Sequence, residues 1–356
     1  MIKININGLS PYETGLQRGK RLNELRPVIN KILETMIPQS GLERKIAVEK
    51  ALRLSSVIKE ELPDVYAEME GIVAGSQWNL EEYSLYHNSL ILSKKEIQCC
   101  SNIFLSEERT ESGETILAKN KDLPSLFYDC QELTSVYNKK YLSYICLRNA
   151  GWPGCDQGVN EAGLSFILSS AHTGEYSTGI HSYILGSIIL ARASHVDEAL
   201  KILESYTTTG ETSFIISDAQ GQGAIFECGH CKQYNRLESE NGILICTNHY
   251  QSKELRKKTE HLKSSNNRWR RLNELYHCQE KFSVDYILNS LMEHNDPKDF
   301  YCICRHDDTM STLATILIFP QKKTMQIQMG NPCEKQGFHE YQPPTIQSYQ
   351  QFEPLY

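Results

Sequence analysis

Residues 97–104 read Ile-Gln-Cys-Cys-Ser-Asn-Ile-Phe, two adjacent thiols and a hydroxyl just ahead of an apolar, strand-like run. A buried cysteine ordinarily behaves as a small hydrophobe, and for most of the twelve cysteines that reading suffices. The pair Cys99-Cys100 allows different chemistry. If the peptide bond before a cysteine is broken, the new first residue carries a thiol and a free α-amine on one Cα. An unperturbed α-amine titrates near pH ~8, so it can take the thiol proton itself. Nucleophile and base then arrive in a single residue, as they do in an N-terminal threonine.

Two other readings of the sulfur and imidazole groups compete. Cys228-Gly229-His230-Cys231 has zinc-ligand spacing, and Cys302-Ile303-Cys304-Arg305-His306 offers further ligands. Cys228, Cys231, Cys302 and Cys304 could therefore close a structural zinc site in a non-catalytic protein. Cys302-x-Cys304 is a poor second knuckle, however, so no metal or other cofactor is expected. His172 and His249 raise the alternative of a Cys–His dyad; with an α-amine as base neither is needed, and His249 is expected to pack behind its strand.

Isolated cysteines prove no cleavage, and the surrounding sequence carries the stronger signal. Cys100-Ser101-Asn102, the run Gly113–Asp122, Gly158-Val159-Asn160-Glu161-Ala162-Gly163-Leu164 and Thr247-Asn248-His249 together resemble the acyl-coenzyme A:6-aminopenicillanic acid acyltransferase family of N-terminal-nucleophile hydrolases. That family is related to choloylglycine hydrolases and acid ceramidase-like amidases. The likeness extends to Gly8–Gly15 near the start and to Gly330-Asn331-Pro332-Cys333 near the end.

The resemblance implies self-cleavage between Cys99 and Cys100, because the family cuts before a cysteine followed by threonine or serine. Cys99 occupies a position usually given to a small residue. A carboxylate beside the new α-amine would orient it and shift its titration, and Asp122 corresponds to the family aspartate. Lys119 stands where bile-salt relatives have arginine and penicillin acyltransferases glutamine; it could polarise the thiolate with less geometric precision than a guanidinium. An oxyanion needs aimed donors. Asn248 matches the asparagine that supplies one from its side chain, and a backbone N–H near Ser170 would be the second. Arg268, in a segment that also holds Arg270 and Arg271, matches an arginine supporting the catalytic centre.

These groups need elements to hold them. Ser10-Pro11-Tyr12-Glu13 is a capped helix start, and from there to about residue 97 apolar residues recur at helical spacing, as in Ala67–Gly75 and Leu80–Leu92. After Cys100 the pattern turns to short apolar runs. Strands are expected at 102–105, 115–118, 142–147, 164–169, 213–217, 224–227, 243–246, 312–318 and 325–329, the first two joined by the turn-rich Glu111–Glu114. Helices are expected over 183–193, 196–205 and 267–276. This order suggests sheets layered with helices, and the fold that the resemblance implies is α+β, a four-layer αββα N-terminal-nucleophile sandwich. Residues 1–99 would form a helical pro-segment, the small subunit after cleavage, and residues 100–356 the large subunit, together one structural unit.

A chain of 356 residues with 40% hydrophobic composition can bury a large core. Its net charge of −7 gives no basic footprint for nucleic acid or an anionic membrane. A small-molecule acyl substrate is the expected partner, with an acyl-CoA donor, an amine acceptor and homo-oligomerisation left open. The first residues lack the apolar core of a secretory signal, and no stretch approaches a membrane span. A cytoplasmic location with reduced thiols is therefore expected. Trp152, Tyr176 and Tyr183 are candidates for a pocket wall.

Overall fold

The computed structural model describes residues 1–93, 100–171, 177–210, 212–229, 234–239, 241–294, 302–306 and 309–345. Cys99, His172, Tyr176 and Cys231 lie outside the described residues. The chain opens with strand β1 (Ile2–Asn7), followed by helices α1 (Pro11–Glu24), α2 (Arg26–Gln39), α3 (Arg44–Glu61), α4 (Pro63–Ser76), α5 (Leu80–His87) and α6 (Ser89–Leu92). Next come β2 (Ser101–Leu105), β3 (Ile116–Pro124), β4 (Gln131–Tyr137), β5 (Tyr144–Asn149), β6 (Gln157–Asn160) and β7 (Ser165–Ser170). Helices α7 (Ser182–Arg192) and α8 (Val196–Ser205) lead to β8 (Thr212–Ser217), β9 (Gly223–Cys228), β10 (Tyr234–Glu238) and β11 (Ile243–Cys246). The rest is α9 (Lys253–Arg256), α10 (Lys263–Tyr276), α11 (Val284–Leu291), β12 (Met310–Phe319), β13 (Thr324–Met329) and β14 (His339–Tyr341).

Two sheets form. The first runs β1-β4-β5-β6-β7-β8-β9-β10 and the second β11-β2-β3-β12-β13-β14. Every neighbouring pair is antiparallel except β1 with β4. Three apolar layers show how the sheets stack. Leu133, Ile145, Val159 and Ile215 of the first sheet meet Phe104, Leu117, Ile316 and Ile327 of the second in one core. Cys146, Phe166 and Phe214 on the other face of the first sheet pack beneath α1–α5, α7 and α8. Ile103, Leu105, Ile116 and Ala118 pack against Leu272 and Tyr276 of α10 and Ile287 of α11. The result is the αββα sandwich.

The helical reading of the first 99 residues needs one correction. Ile2, Ile4 and Ile6 alternate with Lys3, Asn5 and Asn7, and the burial alternates with them. That period of two makes an edge strand, and β1 lies parallel along β4 from Ile2↔Glu132 to Asn7↔Tyr137. Helix α1 begins as expected: Ser10 Oγ accepts from Glu13 N, the Glu13 carboxylate accepts from Ser10 N, and Pro11 takes the first turn. The strands at 131–137, 157–160, 234–238 and 339–341 and helix α11 are additions that the apolar pattern does not announce. Among the described residues no helix is long and apolar enough to cross a membrane.

Candidate active site

Strand alternation sorts the site residues. On β3, Leu117, Lys119 and Lys121 face the first sheet, while Ala118, Asn120 and Asp122 face the α10–α11 layer. Lys119 Nζ donates to Gln157 Oε1 at 2.7 Å and to the Leu168 carbonyl at 2.8 Å. Lys121 Nζ pairs with Asp156 Oδ2 at 2.8 Å and reaches Asn149 Oδ1 at 3.1 Å. Buried lysines are costly unless so partnered. Burial pushes Lys119 down, and the Cys100 sulfur and Asp156 oppose that shift.

Cys100 precedes β2 and is 3% exposed. Its sulfur faces a cavity between the sheets also lined by Lys119, Lys121, Ser170, Trp152 and Tyr183. The thiol lies 4.0 Å from the Asp122 carbonyl oxygen. Burial pushes it above the ordinary thiol value, partly offset by the charge of Lys119. A sulfur protonated at neutral pH needs a base before it can attack.

Asp122 is fully buried. Its Oδ1 accepts from Thr312 Oγ1 at 2.7 Å, while Oδ2 has no hydrogen-bond partner among the described residues. Burial pushes the carboxyl up to about 6, against the pull of Arg268, Thr312, Arg305 and Lys119. Thr312 reaches it because the β3–β12 register is interrupted between Thr312 and Ala314. The extra residue sends both Leu313 and Ala314 into apolar cores and leaves Thr312 opposite Asp122.

Arg268 of α10 joins the pieces. Its Nη1 donates to the Cys100 carbonyl at 2.6 Å and to Ser101 Oγ at 3.0 Å, and its Nη2 donates to Asn248 Oδ1 at 2.9 Å. One fork therefore holds both the residue bearing the thiol and the asparagine amide, an arrangement suited to a planar guanidinium. The helical period separates Arg268 from its neighbours: Arg270 is exposed, and Arg271 pairs at the surface with Glu293 and Glu274. With Oδ1 pinned, Asn248 presents its Nδ2, which donates one hydrogen to the Ser170 carbonyl at 2.8 Å; its backbone N–H is anchored on Ser265 Oγ at 2.7 Å.

The sequence matches the family model described as acyl-coenzyme A:6-aminopenicillanic acid acyl-transferase over residues 109–334, well over half of the chain. The chain belongs to this acyl-transferase family. It is accordingly an enzyme of an acyl-transferring class. The matched span takes in Lys119, Asp122, Ser170, Asn248 and Arg268 and begins just after Cys100.

Among solved structures the acyl-transferase-family chain is similar to a mutant of conjugated bile acid hydrolase from Clostridium perfringens, with 14% identity, 68% of this chain and 92% of that one covered, and a TM-score of 0.47. It is also similar to the Caenorhabditis elegans ortholog of N-acylethanolamine-hydrolyzing acid amidase, at 14% identity, 62% and 93% coverage and a TM-score of 0.44. Penicillin V acylase from Agrobacterium tumefaciens matches at 15% identity, 65% and 83% coverage and a TM-score of 0.40. No curated protein matches the sequence.

The competing readings fare differently in this acyl-transferase-family fold. The His249 ring is held by Ser265 Oγ at 2.9 Å and Thr247 Oγ1 at 3.1 Å, and burial together with Arg268 lowers it to about 4. Cys228 belongs to the core beneath the helices and is not grouped with Cys302 or Cys304 among the metal-capable clusters of the described residues. Trp152 and Tyr183 do line the cavity. Sequence reasoning missed Lys121, Thr312 and Arg305. Lys121 sat in view within Lys119-Asn120-Lys121-Asp122, but Thr312 meets Asp122 only through strand register, and Arg305 comes near it only through the segment whose backbone bonds Thr312.

Proposed function

We propose that this acyl-transferase-family chain is an autoprocessing cysteine amidohydrolase or N-acyltransferase for a small N-acyl amide or acyl thioester, with Cys100 as nucleophile. The observation that supports it most directly is the Arg268 fork, which ties the Cys100 carbonyl to the Asn248 amide. In the reading proposed, the chain is cut between Cys99 and Cys100, giving a small subunit of residues 1–99 and a large one of 100–356. The new α-amine takes the thiol proton and is oriented by Asp122, whose Oδ2 has no other partner.

The thiolate sulfur then attacks the substrate carbonyl carbon. Asn248 Nδ2–H and a backbone N–H near Ser170 hold the resulting oxyanion. Collapse breaks the acyl C–N bond, and the α-ammonium returns its proton to the departing amine; for a thioester donor the bond broken is C–S. Water or an acceptor amine, deprotonated by the α-amine, attacks the acyl-enzyme and frees the sulfur. Arg268 keeps Asn248 and residue 100 in register throughout, and Lys119 supplies positive charge beside the sulfur.

Intact-mass measurement of the purified chain tests this. Two fragments divided between residues 99 and 100 are expected, and Cys100→Ala should abolish both the division and amide turnover. Candidate substrates come from the classes named for similar proteins: bile-acid conjugates, N-acylethanolamines and penicillins, with N-acyl amino acids added. A wild-type chain that stays whole yet hydrolyses such amides overturns the mechanism.

A further inference from the structure

On the far side of Asp122 from the cavity, three chain segments converge on a cluster of sulfur and imidazole groups that the proposed reaction does not use. Cys304 Sγ lies 3.1 Å from His306 Nε2, Cys333 Sγ lies 3.0 Å from the same nitrogen, and the two sulfurs are 3.9 Å apart. The ligand atoms of His294, His306 and Cys333 all fall within 4.8 Å of one another, and the rings of His294 and His306 stack with centroids 5.4 Å apart. We propose that Cys304, Cys333, His306 and His294 bind one zinc ion.

The donor set supports this. Two thiolates and two neutral imidazoles balance the charge of a divalent zinc in the Cys2His2 combination. Zn–S bonds of about 2.3 Å at a tetrahedral angle place two sulfurs about 3.8 Å apart, which is close to the Cys304–Cys333 separation. The sulfurs are far outside the ~2.05 Å of a disulfide. Tetrahedral S···N distances would be about 3.5 Å, so His306 must swing back by roughly half an ångström, and His294, which lies within 4.8 Å of His306 and Cys333 but not of Cys304, must close on Cys304. Both imidazoles are exposed, which permits these shifts. His294 Nδ1 is engaged with the Met292 carbonyl at 2.9 Å, which leaves Nε2 to ligate; metal-bound histidines are commonly oriented by such a bond from the other ring nitrogen.

The segments are also held together without an ion. The N–H groups of Ile303 and Cys304 both donate to the Glu293 carbonyl, at 3.2 and 3.0 Å, setting His294 beside the Cys304 segment. Cys333 sits in the turn after β13, which Gln328 Nε2 fastens through the carbonyls of Asn331 and Pro332. Ligation would clamp Arg305 from both sides. Arg305 N donates to Thr312 Oγ1 at 3.0 Å and its carbonyl accepts from Thr312 N at 3.0 Å, while Thr312 Oγ1 donates to Asp122. The ion is thus a positioning element behind Asp122.

The test uses the full-length reduced protein, stripped with a chelator and titrated with Co(II). One equivalent should bind with the intense visible bands of tetrahedral cobalt and a thiolate-to-cobalt charge-transfer band, and Zn(II) should displace it. Cys333→Ser and His294→Ala should each weaken binding by more than about 100-fold, while Cys278→Ser, at an exposed thiol elsewhere, should not. His294→Ala removes an exposed side chain, so its circular dichroism should match wild type and separate lost ligation from lost folding. Absence of the charge-transfer band, affinity unchanged in both ligand variants, or a Cys304–Cys333 disulfide in freshly isolated protein would each overturn the proposal. None of these readouts depends on cleavage or turnover, so the site stands or falls apart from the proposed activity.

Discussion

At the scale of single residues, Asp122 carries a conflict between folding and chemistry. Burial raises its carboxyl from 3.8 to about 6, so the folded chain binds this proton more tightly than the unfolded chain does. For a raised pKa the contribution to stability is present below the unfolded value and is lost as pH rises through the folded one. Between about pH 4 and 6, then, ionising Asp122 removes on the order of 3 kcal/mol. The unprocessed chain retains that cost because Oδ2 has no partner; an α-ammonium on residue 100 would relieve it. Asp122→Asn, made in an uncut Cys100→Ala background, should therefore raise the unfolding midpoint at pH 7.5 by a few degrees. At about pH 3, below both the unfolded and the folded value, the two proteins should melt together. A lower midpoint for the variant at pH 7.5, or a gain that persists undiminished at pH 3, removes the argument. In the proposed mechanism the carboxylate is thus a site where stability is surrendered for function.

At the scale of elements, α1 and α4 pack through glycines spaced four apart on each helix: Gly15 and Gly19 against Gly71 and Gly75. A Cβ at Gly71 would stand 2.1 Å from the Tyr12 carbonyl oxygen, and one at Gly15 would stand 1.9 Å from that of Glu68. Backbone meets backbone there, and no side chain can give way. Gly71→Ala gains about 1 kcal/mol of helix propensity but forces the helices apart, an overpacking cost of about 1–3 kcal/mol or more. A lower denaturation midpoint is expected, and a variant as stable as wild type would mean the crossing is looser than these distances. This spacing stood in the sequence, where Ala67–Gly75 read only as helix. Apolar runs such as Ile243–Cys246 were legible to the residue. Strands β4 and β6 were not, because polar residues interrupt their buried faces: Glu132 receives Arg18, Gln131 bonds Phe127 and Asn149, and Asn160 bonds the carbonyls of Leu190 and Ala193. The site followed the same rule. Cys100, Asp122, Asn248 and Arg268 stood out by type and order, whereas Thr312 and Arg305 depend on register and a bulge that no local pattern announces.

At the scale of the molecule, a break between residues 99 and 100 would cut one covalent bond and no interface. Strand β1 is six residues of the first sheet, zipped along β4. Arg18, fully buried, spans the division with Nε on Glu132 at 2.8 Å and Nη2 on the Trp152 carbonyl at 2.8 Å, while Nη1 holds Glu68 at 2.6 Å within the first segment. Tyr83 and Tyr86 donate to the carbonyls of Gly151 and Ala150 at 2.9 and 3.0 Å, and Ile29, Met69 and Leu85 share one core with Phe166 and Ile189. The two fragments should therefore coelute on gel filtration without denaturant, whether the chain makes the cut or an engineered protease site within residues 94–99 does. Arg18→Ala would take from buried Glu132 its closest cation and leave it Arg148 at 4.0 Å with the Thr134 hydroxyl and the Gly151 N–H, a loss of up to about 3–5 kcal/mol, and should lower the urea concentration at which the fragments part. Spontaneous separation of the first 99 residues in native buffer would mean these contacts are weaker than covalent continuity, and that the N-terminal segment is a removable cover and not a wall of the enzyme.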